Sequence, residues 1–267
     1  MRVDYHIHTS RCGHAHGSMQ EYIEVARNLG LREIGFSDHA PMYWLPPDKR
    51  DPGIAMQVAD LQGYIDEVQS LAAKTRDLEI RLGLELDYIP GFEKQAAEIV
   101  AGYPFDYIIG SIHFIEGWAF DDPSQMEEYG RRKAEDIYRD YFSLLCQSAV
   151  SGLFDSIAHP DLVKKFGCKP EGDLTTYYRE AARSFVTGGV CVEVNTAGLR
   201  WTAKEIYPSL EFLHICRLEG VPVVTGSDAH APDQVGRALA EARDMLLEVG
   251  YDKVALFRKR QRRLVKL

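Results

Sequence analysis

Seven short β-rich runs recur along the chain, each followed by a longer stretch with helical periodicity, and this alternation limits the folds open to it more than any other feature. The runs are Val3–Ile7, Glu33–Ser37, Glu79–Leu86, Tyr107–Ile112, Ser156–Ala158, Val190–Val194 and Val221–Thr225. The helical stretches are Ser18–Leu29, Met56–Arg76, Glu93–Val100, Ser124–Val150, Leu174–Thr187, Ala203–Leu218 and Gln234–Val249. In the first, Tyr22, Val25, Ala26 and Leu29 repeat on one helical face. Gly30, Gly188-Gly189, Gly220 and Gly250 stand where helices would stop. Strands separated by helices must pair in parallel through crossover connections. An open doubly wound sheet would usually carry a Gly-rich phosphate loop after its first strand. Here the first strand runs instead into His6-Ile7-His8-Thr9-Ser10, so a closed or nearly closed α/β barrel is expected.

A length of 267 residues suits one such barrel, and no linker, repeat or low-complexity segment divides it, so residues 1–267 read as a single domain. Pro41–Pro52 carries four prolines and reads as an ordered loop. The net charge of -9 leaves no broad basic surface for a nucleic-acid backbone. The one basic run, Arg258 to Arg263, reads as the solvated end of a last helix. Five cysteines without a CxxC pair argue against a disulfide scaffold or zinc ribbon and fit a reducing cytoplasm. The opening Met1-Arg2-Val3-Asp4-Tyr5-His6 is not followed by the apolar region of a signal peptide, and no stretch matches a membrane helix. Oligomeric state stays open.

In β/α barrels the reactive groups lie at the C-terminal ends of the strands. There this chain places His6 and His8, with His14 and His16 in the loop beyond; then Asp38 and His39; Glu85 and Asp87; His113; His159 and Asp161; Glu193 and Asn195; Asp228 and His230. Residues i and i+2 of a strand share a face, so both imidazoles of His6-x-His8 can reach one ion, and Asp228-x-His230 repeats the spacing. Any one such histidine is more simply a core or capping residue; every strand end carrying one or a carboxylate is not. So many donors exceed one ion's needs and suit two or three. Imidazole with carboxylate suits zinc, iron or manganese rather than calcium. Two adjacent ions can clamp a phosphoryl group, so a small phosphate ester is the expected partner. His214 falls within a helical pattern and reads as structural.

The motifs His6-Ile7-His8-Thr9, Ser37-Asp38-His39, Gly83-Leu84-Glu85, Gly110-Ser111-Ile112-His113, Ala158-His159-Pro160 and Gly226-Ser227-Asp228-Ala229-His230 resemble those of the polymerase and histidinol phosphatase (PHP) superfamily over nearly the whole chain. Cys12-Gly13-His14-Ala15, Gly83–Pro90, Glu193–Arg200 and Glu205-Ile206-Tyr207-Pro208 are most similar to its histidinol-phosphatase branch. The resemblance implies a distorted (β/α)7 barrel and three metals. It implies one ion on His6, His8, Glu85 and Asp228, a second on Glu85, His113 and His159, and a third on His14, His39 and His230. It also implies hydrolysis of L-histidinol phosphate in histidine biosynthesis.

On that reading a metal-bound hydroxide attacks phosphorus, and no covalent nucleophile is needed; Cys12 reads as a loop thiol. Arg200 is the candidate phosphate ligand, with Lys164 a second and His16 a further contact. Asp161 or His230 would assist proton delivery. Asp87, Asp161, Tyr43, Trp44, Phe114 and Trp118 are possible contacts for the substrate's ammonium and imidazole. Three alternatives remain: a PHP-type nuclease or nucleotide phosphoesterase, disfavoured by the acidic charge; a noncatalytic metal-binding module, which would usually lack ligands; and a metal-dependent amidohydrolase, which would usually need a bridging lysine absent from the strand ends.

Overall fold

Each β-rich run becomes a strand, and the helical stretches pack outside them. The computed structural model describes residues 3–267; Met1 and Arg2, which open the stretch read as lacking a signal peptide, lie outside them. The strands are β1 (Val3–Ile7), β2 (Glu33–Phe36), β3 (Glu79–Asp87), β4 (Tyr107–Ser111), β5 (Phe114–Ile115), β6 (Trp118–Ala119), β7 (Ser156–Ile157), β8 (Cys191–Asn195), β9 (Val223–Gly226), β10 (Lys253–Arg258) and β11 (Gln261–Lys266). The helices are α1 (Met19–Asn28), α2 (Leu61–Lys74), α3 (Glu93–Gly102), α4 (Ala134–Val150), α5 (Thr175–Gly188), α6 (Leu210–Glu219) and α7 (Leu239–Val249). Seven strands form one parallel sheet in the order β1-β2-β3-β4-β7-β8-β9. Beyond the end of β9 the edges meet: His8 N donates to Ala229 O and Ala229 N to His6 O. Below that point side chains hold the seam. Thr225 Oγ1 donates to Val3 O, and the buried Asp4 carboxylate accepts from Ser227 N, Ser227 Oγ and Gly236 N. The result is the expected seven-stranded barrel, nearly closed.

Helix boundaries follow local chemistry. Ser18 and Glu21 form a reciprocal capping box that starts α1. α6 begins at Leu210, not Ala203, because Pro208 cannot sit inside a helix and Ser209 caps the turn after it. The stretch expected as one helix from Ser124 breaks into a 3-10 segment, Pro123–Gly130, before α4. A small hairpin, β5–β6, follows β4 and carries the chain away from His113.

The basic C-terminal run is not a helix. β10 and β11 form an antiparallel hairpin whose two turn residues, Lys259 (φ 51) and Arg260 (φ 62), adopt the left-handed conformation that two-residue hairpin turns demand. Asp106 holds that turn through both backbone amides, and Arg260 pairs with Asp155 and donates to Leu153 O. The hairpin closes the end of the barrel opposite the histidines. Ala255, Leu256 and Phe257 join Val3, Tyr5, Tyr107, Ile109 and Val224 in one buried cluster. Gly35 and Gly83 make room for Tyr107, whose ring would meet a Cβ at either position under 3 Å away. No helix among the described residues is long and apolar enough to cross a membrane.

Candidate active site

The strand ends opposite the hairpin converge, and Glu85 lies at their centre. Its Oε2 faces His6 Nε2 (3.3 Å), His8 Nε2 (3.5 Å) and His39 Nδ1 (3.0 Å). Its Oε1 faces His159 Nε2 (3.0 Å) and His113 Nε2 (3.7 Å). Asp228 Oδ1 lies 3.2 Å from His8 Nε2 and 3.8 Å from His6 Nε2. A third group of rings stands beside these: His14 and His230 are 4.7 Å apart between centroids, His14 and His39 5.4 Å, and His8 and His230 4.0 Å. All nine expected metal donors are therefore brought to one mouth of the barrel. Seven of them, all but the fully buried His6 and His8, border a cavity of about 520 Å³ that Arg200 also lines.

The backbone is bent to bring this about. The pairing of β1 with β2 shifts register between Asp4 and Ile7, so Tyr5 packs against the hairpin while its neighbour His6 enters the metal-type cluster. His159 (φ 24) and Asp228 (φ 54) hold positive φ, where residues with a Cβ are strained. Glu193 supports the first of these, since its Oε2 accepts from His159 N at 2.7 Å.

Carboxylates behind the cluster fix ring orientation. Glu193 Oε1 accepts from His6 Nδ1 at 2.7 Å, which turns Nε2 toward Glu85, and Asn195 Nδ2 donates to Glu193 Oε2 at 3.0 Å. Asp87 Oδ1 accepts from His113 Nδ1 at 2.9 Å. His14 Nδ1 lies 3.1 Å from Cys12 O, and His230 Nδ1 lies 3.2 Å from Asp228 O, which frees Nε2 on both rings. Metal-binding histidines characteristically have such partners. Glu193 stood at a strand end with no role assigned to it, and Asp87 was a possible ammonium contact; the signal for both was their position two residues from another strand-end polar group. Asp38 takes its place beneath His8 (3.5 Å) and is held by Thr9.

The electrostatics show a cluster built for positive charge. Burial alone would raise the Glu85 carboxyl, but His39 and His6 hold it well below the ordinary value. Asp228 is likewise held well down against burial by His6 and His8. Burial opposes the His6 and His8 imidazoliums, yet the carboxylates around them raise both pKa values well above normal. Against burial, Asp87 and Asp121 lift His113 to about 10. Burial, His39 and His8 lower His14 to about 4.

The donor set fits divalent ions on its own geometry. His6 Nε2, His8 Nε2 and Glu85 Oε2 are buried without a hydrogen-bond partner among the described residues, and groups such as His6–His8–Glu85 place ligand atoms within 4.8 Å of one another. Unpartnered buried polar atoms are costly, and a cation meeting all three removes that cost.

Other expected residues lie elsewhere. Lys164 is buried between Asp161 Oδ2 (2.9 Å) and Glu205 Oε2 (2.8 Å), and both Lys164 and Asp161 line a separate groove. The lysine on the cavity wall is its neighbour Lys165, 3.1 Å from Asp121 and 4.2 Å over the Trp201 ring. The 3-10 turn after β7 explains the exchange, since adjacent residues there point to different sides. His16 is exposed and outside the cavity; only its backbone is engaged, by His230 and Tyr22. Arg200 is where it was expected, with Nη1 donating to Ser227 O (3.0 Å) and Nη2 to Asp228 O (2.8 Å). Phe114 lines the cavity, whereas Trp118 is buried against Tyr129. His214 is exposed on α6.

Residues 4–197 match the family model described as PHP domain. A protein of Deinococcus radiodurans named probable histidinol-phosphatase is 39% identical over 260 residues, spanning 97% of each sequence. The histidinol-phosphatase of Bacillus subtilis is 32% identical over 88% of this chain and 96% of its own. The crystal structure of histidinol phosphate phosphatase from Lactococcus lactis, complexed with zinc, L-histidinol and phosphate, shares the fold with a TM-score of 0.85 at 21% identity, over 98% of each chain.

Proposed function

Since the chain belongs to the PHP domain family, we propose that it is a metal-dependent phosphomonoesterase that hydrolyses L-histidinol phosphate to L-histidinol and phosphate, a step of histidine biosynthesis. The observation that carries the chemistry is the division of labour at Glu85, one oxygen toward His6 and His8 and the other toward His113 and His159. Two or three divalent ions, zinc, iron or manganese, would be held by His6, His8, Glu85 and Asp228; by Glu85, His113 and His159; and by His14, His39 and His230. Such ions, when bound, lower the pKa of water toward neutrality and offset charge on phosphoryl oxygens.

The chain's own groups supply orientation and binding. Glu193 and Asp87 hold His6 and His113 in one ring orientation. Arg200, fixed by two carbonyls beside Asp228, offers its guanidinium to the phosphate. Of the two groups considered for proton delivery, His230 borders the cavity and Asp161 does not. The apolar wall of Phe114 and Trp201 and the acidic Asp121 suit an imidazole and an ammonium better than a polynucleotide, in keeping with the net charge of -9. Five free cysteines suit a reducing compartment, and the cytoplasm is our assignment.

The test is phosphate release from L-histidinol phosphate and from a nucleoside monophosphate, with metal analysis of the same sample. Preference for histidinol phosphate by metal-loaded protein supports the assignment; preference for the nucleotide, or turnover indifferent to metal, overturns it. Arg200→Ala should raise KM for the ester with metal content unchanged, and unaltered kinetics would remove Arg200 from the site.

A further inference from the structure

Seven tyrosines are fully buried: Tyr5, Tyr22, Tyr64, Tyr107, Tyr138, Tyr141 and Tyr207. Six have a partner for the hydroxyl. Tyr5 donates to Glu33, Tyr22 to His16 O, Tyr64 to Gly83 O, Tyr107 to Tyr5 O and Tyr138 to Cys168 O, while Tyr141 accepts from Asp161 N. Tyr207 alone has none among the described residues, and Tyr207 alone of the seven lines the catalytic cavity. A buried hydroxyl left unpaired is costly enough that a native protein rarely keeps one without a ligand or water to meet it.

The backbone on either side of this ring is also fixed. Tyr207 and Asn195 exchange both backbone hydrogen bonds, at 2.7 and 2.9 Å, which ties the tyrosine to the exit of β8. The same exit carries Arg200 at the end of its 3-10 turn. Gly198 in that turn leaves space for the phenol end of the ring; a Cβ there would lie 2.8 Å from Tyr207 Cζ. Lys164 sits 5.5 Å from the ring centroid but is engaged by Asp161 and Glu205. Burial and the nearby Asp161 and Asp228 push the phenol's ionisation upward, so it stays a neutral donor.

We propose that the Tyr207 hydroxyl is a direct substrate contact, donating a hydrogen bond to a nonbridging oxygen of the phosphoryl group beside the Arg200 guanidinium. A phosphate dianion offers more acceptor sites than one guanidinium satisfies, and the unpaired phenol supplies a further donor from the same β8 exit. The assignment of substrate rests on the phosphomonoesterase reading above; the assignment of the anion contact does not need turnover to be tested.

The test is Tyr207→Phe, which keeps the ring and removes the oxygen, assayed for inorganic phosphate binding by calorimetry on metal-loaded protein. Phosphate should bind about 10- to 100-fold more weakly, the span expected for one hydrogen bond to a charged group. Metal content should match the parent, and Tm should be unchanged or higher, because the hydroxyl has no partner within the protein to lose. Phosphate binding at the parent's affinity, a lowered Tm, or lost metal would each overturn the proposal, the last two by showing a structural or ligand-positioning role. A parent that binds phosphate but does not hydrolyse L-histidinol phosphate would sink the functional reading and leave this contact standing. A parent that binds no phosphate would sink both.

Discussion

Glu85 carries the largest share of the site because it is 1% exposed and has five imidazoles within 3.7 Å of its two oxygens. Glu85→Gln preserves its volume but removes the charge, and it places an amide where an ion needs an anionic oxygen. Metal analysis should then show loss of at least the two ions Glu85 is assigned to share, with turnover at background; a variant with the parent's metal stoichiometry would show that Glu85 is not a ligand. Glu193 acts one step back, through His6 Nδ1 and His159 N. Glu193→Gln should cost about 10- to 100-fold in metal affinity or activity, the range for a partner behind a metal ligand, and titration with a chelating indicator would read it. His-x-His, Asp-His and Asp-x-His announced the donors because strand periodicity alone puts i and i+2 on one face. The adjacent pair Lys164 and Lys165 was not resolvable that way. A 3-10 turn rotates successive residues by about a third of a circle, and only the packed structure shows that Lys165 meets Trp201 while Lys164 meets Glu205.

Among the elements, the parallel strands were legible because each is a short β-rich run followed by a longer stretch with helical period. The C-terminal hairpin was not. Val254-Ala255-Leu256-Phe257 is a continuous apolar stretch with neither period, and the cations around it suggested a solvated helix end. All four residues are buried, Val254 in the main core and the other three at the closed end of the barrel, so both faces of β10 are covered. Phe257 fills the space between Tyr5 and Tyr107, each 5.9 Å away between ring centroids. Phe257→Ala should destabilise the protein by about 3–5 kcal/mol, as large-to-small core changes of this size do. Denaturant unfolding would read it, with the metal content of the folded protein unchanged. A loss under about 1 kcal/mol would mean that the barrel floor repacks and that the hairpin is not the plug it looks to be.

Across the whole molecule, stability and metal content are one equilibrium. The mouth concentrates charge that protons compensate when no ion is bound, so metal uptake must release protons, and ions that bind only the folded chain must stabilise it. Chelation should therefore lower Tm. The sign of its pH dependence follows from the shifted groups. In metal-free protein His113 titrates near 10 rather than the ordinary 6.5. A raised pKa contributes stability that is complete below the unfolded value and is lost as pH rises through the folded one. Glu85 and Asp228 are depressed, so their contribution is present above their unfolded values, about 4, and disappears as pH falls further. Metal-free protein should thus weaken below about pH 6.5, where His14, held down to about 4, resists the proton the unfolded chain takes up, and also from about pH 6.5 toward 10. Over the same window the proton on His113 ceases to compete with metal, so the ion's stabilisation grows. The Tm difference between loaded and stripped protein, measured by calorimetry at stepped pH, should widen as pH rises. A difference that is flat or narrows would mean that the protons on these histidines and the bound ions do not share one set of atoms.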